Sequence, residues 1–177
     1  MRLCRRATHN ITISGALMSS TQHLHLLNQL AEMPVFLEKA FAGMSRELLV
    51  RMPAHDNSPL IEHLWHLKDC ESDLYGPRIE RVLNEDRPTL LPMDVSGWPV
   101  ERGYHSRDGD QAIQEFSALR HKLIEQLRAT ELASFERVGV RTDGHEVGVY
   151  RLAEQLADHD RDHRWRMSAI LREYLER

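Results

Sequence analysis

The stretch Leu156-Ala157-Asp158-His159-Asp160-Arg161-Asp162-His163-Arg164-Trp165-Arg166-Met167 carries both the helical period and the chemistry of this chain. Around it Val149, Leu152, Leu156, His159, His163, Met167, Ile170 and Tyr174 recur at intervals of three and four. That is the period of an α-helix with one buried face, and it predicts a helix over about 149–175. His159 and His163 fall on or beside that face. Side chains at i and i+4 stack one above the other, with Cβ atoms roughly 5–6 Å apart. Two imidazoles so placed can grip one metal ion, and a third donor has to come from another segment.

Three further segments share the period. Leu24, Leu27, Leu30, Ala31, Val35, Leu37, Phe41 and Met44 predict a helix over about 21–44. Ser19, Ser20 and Thr21 offer its N-cap, and Pro34 is expected to kink or break it. Ser58-Pro59 opens a second helix, with Ser58 as N-cap, Pro59 at the first helical position and Glu62 near the capping-box place. Its stripe is Leu60, Ile61, Leu64, Leu67, Leu74, Ile79, Val82 and Leu83, interrupted by Gly76-Pro77. A third helix is expected over about 110–129, striped by Ile113, Phe116, Leu119, Leu123, Ile124 and Leu127.

The connections differ in kind. Residues 86–108 carry Pro88, Pro92, Gly97, Pro99 and Gly103. A loop that long in a compact domain is usually functional or a lid. Its Trp98 and Tyr104 are expected to pack down onto the helices. Residues 135–149, broken by Gly139, Gly144 and Gly148, read as a short hairpin or an open loop. Four amphipathic helices without a long strand predict an all-α four-helix bundle, a single domain over 21–177. Residues 1–20 are expected to be a disordered N-terminal extension. They hold Arg2, Arg5 and Arg6 without an acid, and Met18 could open the natural chain.

Composition narrows the function classes. The 177 residues are 28% charged, and the net charge of −4 is spread over interspersed acids and bases. No polyanion-binding face emerges, so nucleic acid is not an expected partner. No apolar run is long enough for a membrane span. Cys4 and Cys70 do not make a disulfide framework, which fits a reducing cytoplasm.

The second helix supplies candidates for the third donor in Glu62-His63-Leu64-Trp65-His66-Leu67-Lys68-Asp69-Cys70-Glu71. His63 lies nearer the centre of the leucine stripe and His66 toward its edge, and periodicity alone does not choose between them. Cys70, one turn after His66, reads as a fourth donor or as an ordinary buried cysteine. Asp160 and Asp158 can accept a hydrogen bond from the second nitrogen of a ligating imidazole. His25, His105, His121 and His145 read as surface or loop residues. The chain has no Glu-x-x-His, and its His159-Asp160-x-x-His163 is one carbon short of the zincin motif. It also lacks Cys-x-x-Cys, a glycine-rich phosphate loop and Gly-x-Ser-x-Gly.

Ser58-x3-Glu62-x3-His66-Leu67-x-Asp69-x-Glu71, followed by His159-Asp160-x2-His163, resembles the DinB-like family of small metal-binding four-helix bundles. The likeness continues through Pro88-x5-Asp94, Tyr104 and Phe116-x3-Arg120, and covers about 24–175. It implies His66, His159 and His163 as ligands of a divalent metal, Zn, Ni or Fe, with positions left open. His63 then faces a ligand or the substrate. The resemblance further implies a small-molecule substrate, a homodimer, and transfer or isomerisation of small electrophiles with a low-molecular-weight thiol. The other readings are a metal-dependent hydrolase and a non-catalytic, stress-associated metal-binding bundle. Arg102, Arg107 and Arg120 are candidates for anion binding or for helix-surface ion pairs.

Overall fold

The computed structural model describes residues 19–176; the expected N-terminal extension, Ser19 and Ser20 apart, lies outside them. Helix α1 runs Ser20–Phe41 with Pro34 inside it, capped by a reciprocal Ser19–Gln22 pair. Pro34 has no N–H, so the carbonyl of Leu30, four residues earlier, loses its helical donor. Arg120 Nη1 donates to that oxygen at 3.0 Å. The expected break is thus replaced by a bond from another helix. Leu27, Leu30, Leu37 and Phe41 are buried as expected, but Leu26 and Met33 join them while Leu24, Ala31 and Val35 are exposed.

A short helix α2, Arg46–Val50, leads to α3, Leu60–Asp69. Helix α3 starts one residue later than expected, with Pro59 at the N-cap. Ser58 makes no cap; its N–H donates to Asp56 Oδ1 at 3.0 Å. Helix α3 passes into a π turn, Cys70–Tyr75, and then α4, Gly76–Asn84. Pro77 explains the π turn. Its ring would crowd the carbonyl four residues back, and the wider i→i+5 spacing relieves that clash. The Gly76 N–H accordingly donates to the Glu71 carbonyl. A Cβ at position 76 would sit 2.7 Å from the same oxygen, so glycine is required there.

The segment over 86–108 contains structure of its own: β1 at Thr89–Leu90, α5 at Trp98–Glu101 and a 3₁₀ turn at Tyr104–Ser106. Trp98 and Tyr104 are buried, as expected, and the Tyr104 hydroxyl donates to Asp69 Oδ2 at 2.7 Å. Helix α6, Gly109–Ala129, follows an Asp108 cap. Strands β2, Val138–Arg141, and β3, Glu146–Gly148, form the hairpin, and β1 joins β2 in parallel. Helix α7 runs Val149–Leu175.

The four long helical segments form the bundle: α1 packs on α6 and α7, while α3 contacts both α6 and α7 and α4 contacts α7. One fully buried charge ties all four of these segments together. Arg120 Nε and Nη2 donate to Glu71 Oε1 and Oε2 at 2.9 and 2.8 Å. Its Nη1 and Nη2 also donate to Asp160 Oδ2 and Oδ1. With the Leu30 carbonyl, these bonds use all five guanidinium N–H donors. Burial alone would lower the Arg120 pKa; Glu71 and Asp160 outweigh it and raise it. Arg120 is therefore neither a surface ion pair nor an anion binder. Among the described residues no helix is long and apolar enough to cross a membrane.

Candidate metal centre

Helices α3 and α7 face each other across one seam, and four histidines meet there. His66 Nε2 and His159 Nε2 lie 3.3 Å apart. Two nitrogens bound at about 2.0–2.1 Å to one tetrahedral ion would stand roughly 3.3–3.4 Å apart, so this separation suits a shared cation. Cys70 Sγ lies 3.3 Å from His66 Nε2. The donor atoms of His66, Cys70 and His159 all fall within 4.8 Å of one another. The set expected from the sequence has His163 in the place of Cys70. The ring of His163 stands 4.5 Å from that of His159 and 5.0 Å from that of His66, stacked on the latter at 27°.

The orientation of His163 has a cause. Its Nδ1 lies 2.9 Å from His63 Nδ1, so one of the two carries the proton. That contact leaves Nε2 as the nitrogen available to a metal. His63 Nε2 in turn sits 3.6 Å from Asp56 Oδ2. Arg166 fixes Asp56 through two bonds of 2.8 and 2.6 Å. His63 is the residue placed to set the tautomer and tilt of His163, while its own Nε2, 3.6 Å from Asp56, is buried without a hydrogen bond. His63 is thus placed beside His163, one of the expected ligands. Its burial at 2% exposure agrees with its central place on the leucine stripe.

Asp160 corrects the sequence reading. It does not support a histidine, because one residue along a helix is about 100° around it, and its carboxylate is held by Arg120. Asp158 pairs with Arg161 at the surface. His25, His105, His121 and His145 are exposed and lie outside the cluster, as expected.

The electrostatics favour neutral donors. Burial holds His63 down at about 4 and His159 at about 3, and it lowers His66 and His163 in the same direction. Neutral imidazole is the form that binds a metal. Burial, with Asp69 and Glu71 nearby, pushes the Cys70 thiol up to about 12. His159 Nδ1 is buried without a hydrogen-bond partner. The imidazoles fit a divalent cation by donor type, spacing and protonation state, whereas the Cys70 thiol would have to give up its proton to join them.

A cleft of about 190 Å³ opens over His63, His66 and His163, walled by Glu62, Arg166 and the Val95–Pro99 side of the long loop. A larger surface groove, about 750 Å³ beside Val35, Phe36 and Arg164, contains none of the donors and is set aside on that ground. Tyr75, 5.5 Å from the His159 ring, and Trp98, 6.4 Å from that of His66, complete the surroundings.

A sequence model of the DinB superfamily matches residues 29–167. The chain belongs to the DinB superfamily. Among solved structures it is similar to YfiT from Bacillus subtilis, described as a probable metal-dependent hydrolase with an unusual four-helix bundle topology. The two share a TM-score of 0.78 and 20% identity, over 88% of this chain and 89% of that one. No curated protein matches the chain in sequence.

In this DinB-superfamily chain the sequence reading missed Asp56, Tyr75 and Arg166 at the site. Arg166 follows His163 by three residues, so it shares the inward-facing edge of α7, and that spacing could have found it. Asp56 lies in an irregular connection where no period exists to read. The support of His163 by His63 yields one prediction. His63→Ala should weaken metal binding about 10–100-fold while the far-ultraviolet circular dichroism stays that of the wild type. Unchanged affinity in a competitive chelator titration would leave His63 without the supporting role.

Proposed function

We propose that this protein is a metal-dependent enzyme acting on a small molecule in the cleft, with His66, His159 and His163 holding a divalent ion and Cys70 as a further donor. The observation that carries the reading is the 3.3 Å approach of His66 Nε2 and His159 Nε2 in a buried cluster of imidazoles. Superfamily membership and the description of YfiT are consistent with it. A metal bound there supplies Lewis acidity, which lowers the pKa of water or thiol and polarises a carbonyl. His63 holds the tautomer of His163, and the buried walls keep all four rings neutral. Glu62, on the cleft wall, is the carboxylate placed to take a proton from the attacking group.

Hydrolysis is the first reaction this arrangement supports. Conjugation with a low-molecular-weight thiol is the second, and one observation favours it. Asp56 and Asp160 are both locked to arginines, which leaves Glu62 as the carboxylate lining the cleft. A thiolate is a nucleophile in its own right and needs a base less than water does.

The test uses untagged protein, stripped by a chelator and reloaded with Zn, Ni or Fe. It is assayed on ester, amide and electrophile panels with and without added thiol. Metal-dependent turnover that disappears in His159→Gln is the expected result, and turnover surviving that change would overturn the reading. Cobalt loading addresses Cys70 separately. The wild type should show a thiolate-to-cobalt charge-transfer band in the near ultraviolet, and Cys70→Ser should lose it while keeping the visible ligand-field bands. A wild-type spectrum without that band would remove Cys70 from the ligand set.

A further inference from the structure

The π turn Cys70–Tyr75 decides which side chains after His66 reach the histidine cluster. Along an α-helix each residue advances about 100°, so an uninterrupted helix would point Tyr75 roughly 180° away from His66. An i→i+5 turn holds one residue more than an α turn and sets the residues beyond it back by about 100°. His66, Cys70 and Tyr75 then share one face, at spacings of four and five residues. The contacts agree with that register. Cys70 Sγ lies 3.3 Å from His66 Nε2, and the Tyr75 ring stands 5.5 Å from that of His159, tilted by 48°. Asp73, which an uninterrupted helix would put about 20° from His66, is turned toward the long loop, where Arg102 Nη1 donates to it at 2.6 Å.

Tyr75 brings to this face a hydroxyl that the rest of the protein leaves unused. The residue is half-buried and packs against both apolar clusters of the core. A tyrosine so placed usually finds a partner for its O–H. Tyr104 donates to Asp69, and Tyr174 donates to the Arg51 carbonyl. The Tyr75 hydroxyl has no partner among the described residues. Its oxygen is not sealed in the core either, so a small molecule can reach it. At the other end of the same face Glu62, one turn before His66, lines the cleft. A carboxylate and a phenol thus flank the metal donors from opposite ends. The first accepts protons, and the second is protonated at neutral pH.

We propose that the Tyr75 hydroxyl is the hydrogen-bond donor of this site, aimed at the substrate oxygen that gains negative charge during the reaction. The substrate class is then a small carbonyl compound: an ester, an amide or an unsaturated carbonyl electrophile. As the nucleophile bonds to carbon, the carbonyl electron pair shifts onto the oxygen, and Glu62 takes the nucleophile's proton. Tyr75 keeps its own proton, and its hydrogen bond to the oxygen strengthens as the charge develops. This rests on the metal-centre reading above, and the experiment separates the two.

Cobalt-loaded, full-length protein is titrated with acetohydroxamic acid and with pyridine, following the visible cobalt spectrum. Bound hydroxamate carries an oxygen anion that accepts a hydrogen bond, whereas pyridine has no acceptor left once its nitrogen is bound. Tyr75→Phe keeps the ring and loses only the hydroxyl. It should weaken hydroxamate binding about tenfold, the effect of losing one hydrogen bond to a charged group. Its affinities for pyridine and for cobalt should stay those of the wild type. Equal weakening of both probes, or no weakening of either, would overturn the role of Tyr75.

Zinc-loaded protein labelled with meta-fluorotyrosine gives an independent reading. The fluorine resonance that is missing from Tyr75→Phe should shift when acetohydroxamic acid is added, while those of the other tyrosines stay in place. A Tyr75 resonance that does not move would overturn the proposal. If neither probe perturbs the cobalt spectrum of the wild type, the metal reading fails and the proposal falls with it. A hydroxamate response that Tyr75→Phe leaves intact overturns the proposal alone.

Discussion

Replacing His159 or His66 by glutamine should cost about two orders of magnitude in metal affinity. These two residues present the nitrogens that approach to 3.3 Å, so each loss removes a donor that is already in place. Structural zinc sites with four protein ligands bind with about 10–16 kcal/mol, which is roughly 3 kcal/mol for each donor. Glutamine approximates the volume of the imidazole, so the packing of the seam is largely kept. His163→Gln should fall in the same class, and more severely than His63→Ala, which removes support without removing a donor. Stability carries an independent readout. An ion present at a hundred times its dissociation constant adds about 2.7 kcal/mol, and this increment should vanish in the donor variants. The measurements are metal content of untagged protein by mass spectrometry and urea unfolding with and without added metal. Stoichiometric, tight metal in His159→Gln would show that the cation sits elsewhere.

The reasons why parts of this site could be read from sequence and others could not are physical. The helix Val149–Leu175 was legible because its stripe is unbroken and a helical face repeats on a fixed period. The same logic placed His63 on the buried side of α3. It could not choose between His63 and His66 as the candidate donor, because a residue at the edge of a stripe is defined by what faces it from another helix. Pro34 and Pro77 were legible as perturbations but not in their outcome. One is absorbed by Arg120, 90 residues away from the carbonyl it satisfies, and the other by a π turn. Asp160 was misassigned for a related cause. Its neighbour His159 carries the chemistry, yet adjacent residues on a helix point in different directions, and a buried arginine from α6 was waiting on the other side. Cys70 stayed ambiguous in sequence since a buried cysteine packs like a small apolar residue whether or not a donor faces it.

Metal-free protein should lose stability steeply as the pH falls from about 6.5 toward 5. The sign follows from where the protons bind. His63 is held at about 4 and His159 at about 3 in the folded state, against 6.5 when exposed, and burial moves His66 and His163 in the same direction. Between those values the unfolded chain takes up protons that the folded chain refuses. Stability is therefore fully present above pH 6.5 and falls with acidification, by about 1.4 kcal/mol per pH unit for each histidine. Asp160 works the other way: burial raises it to about 6, so its folded form gains the proton first. The lowered histidines outweigh the one raised carboxylate, so the net slope keeps the sign of the histidines and is a sizeable part of the total stability of about 5–15 kcal/mol typical of domains. Acid unfolding should thus occur well above the range in which carboxylates alone would drive it. Urea denaturation of chelator-treated protein at half-unit steps from pH 7.5 to 5 measures the slope. Replacing His63 and His163 together by asparagine and glutamine should remove about half of the histidine contribution. A slope no steeper than a single histidine would supply means that the cluster is protonated, or open to water, in the folded protein. Saturating metal should move the transition to lower pH, because protons must then displace the ion before the imidazoles can charge.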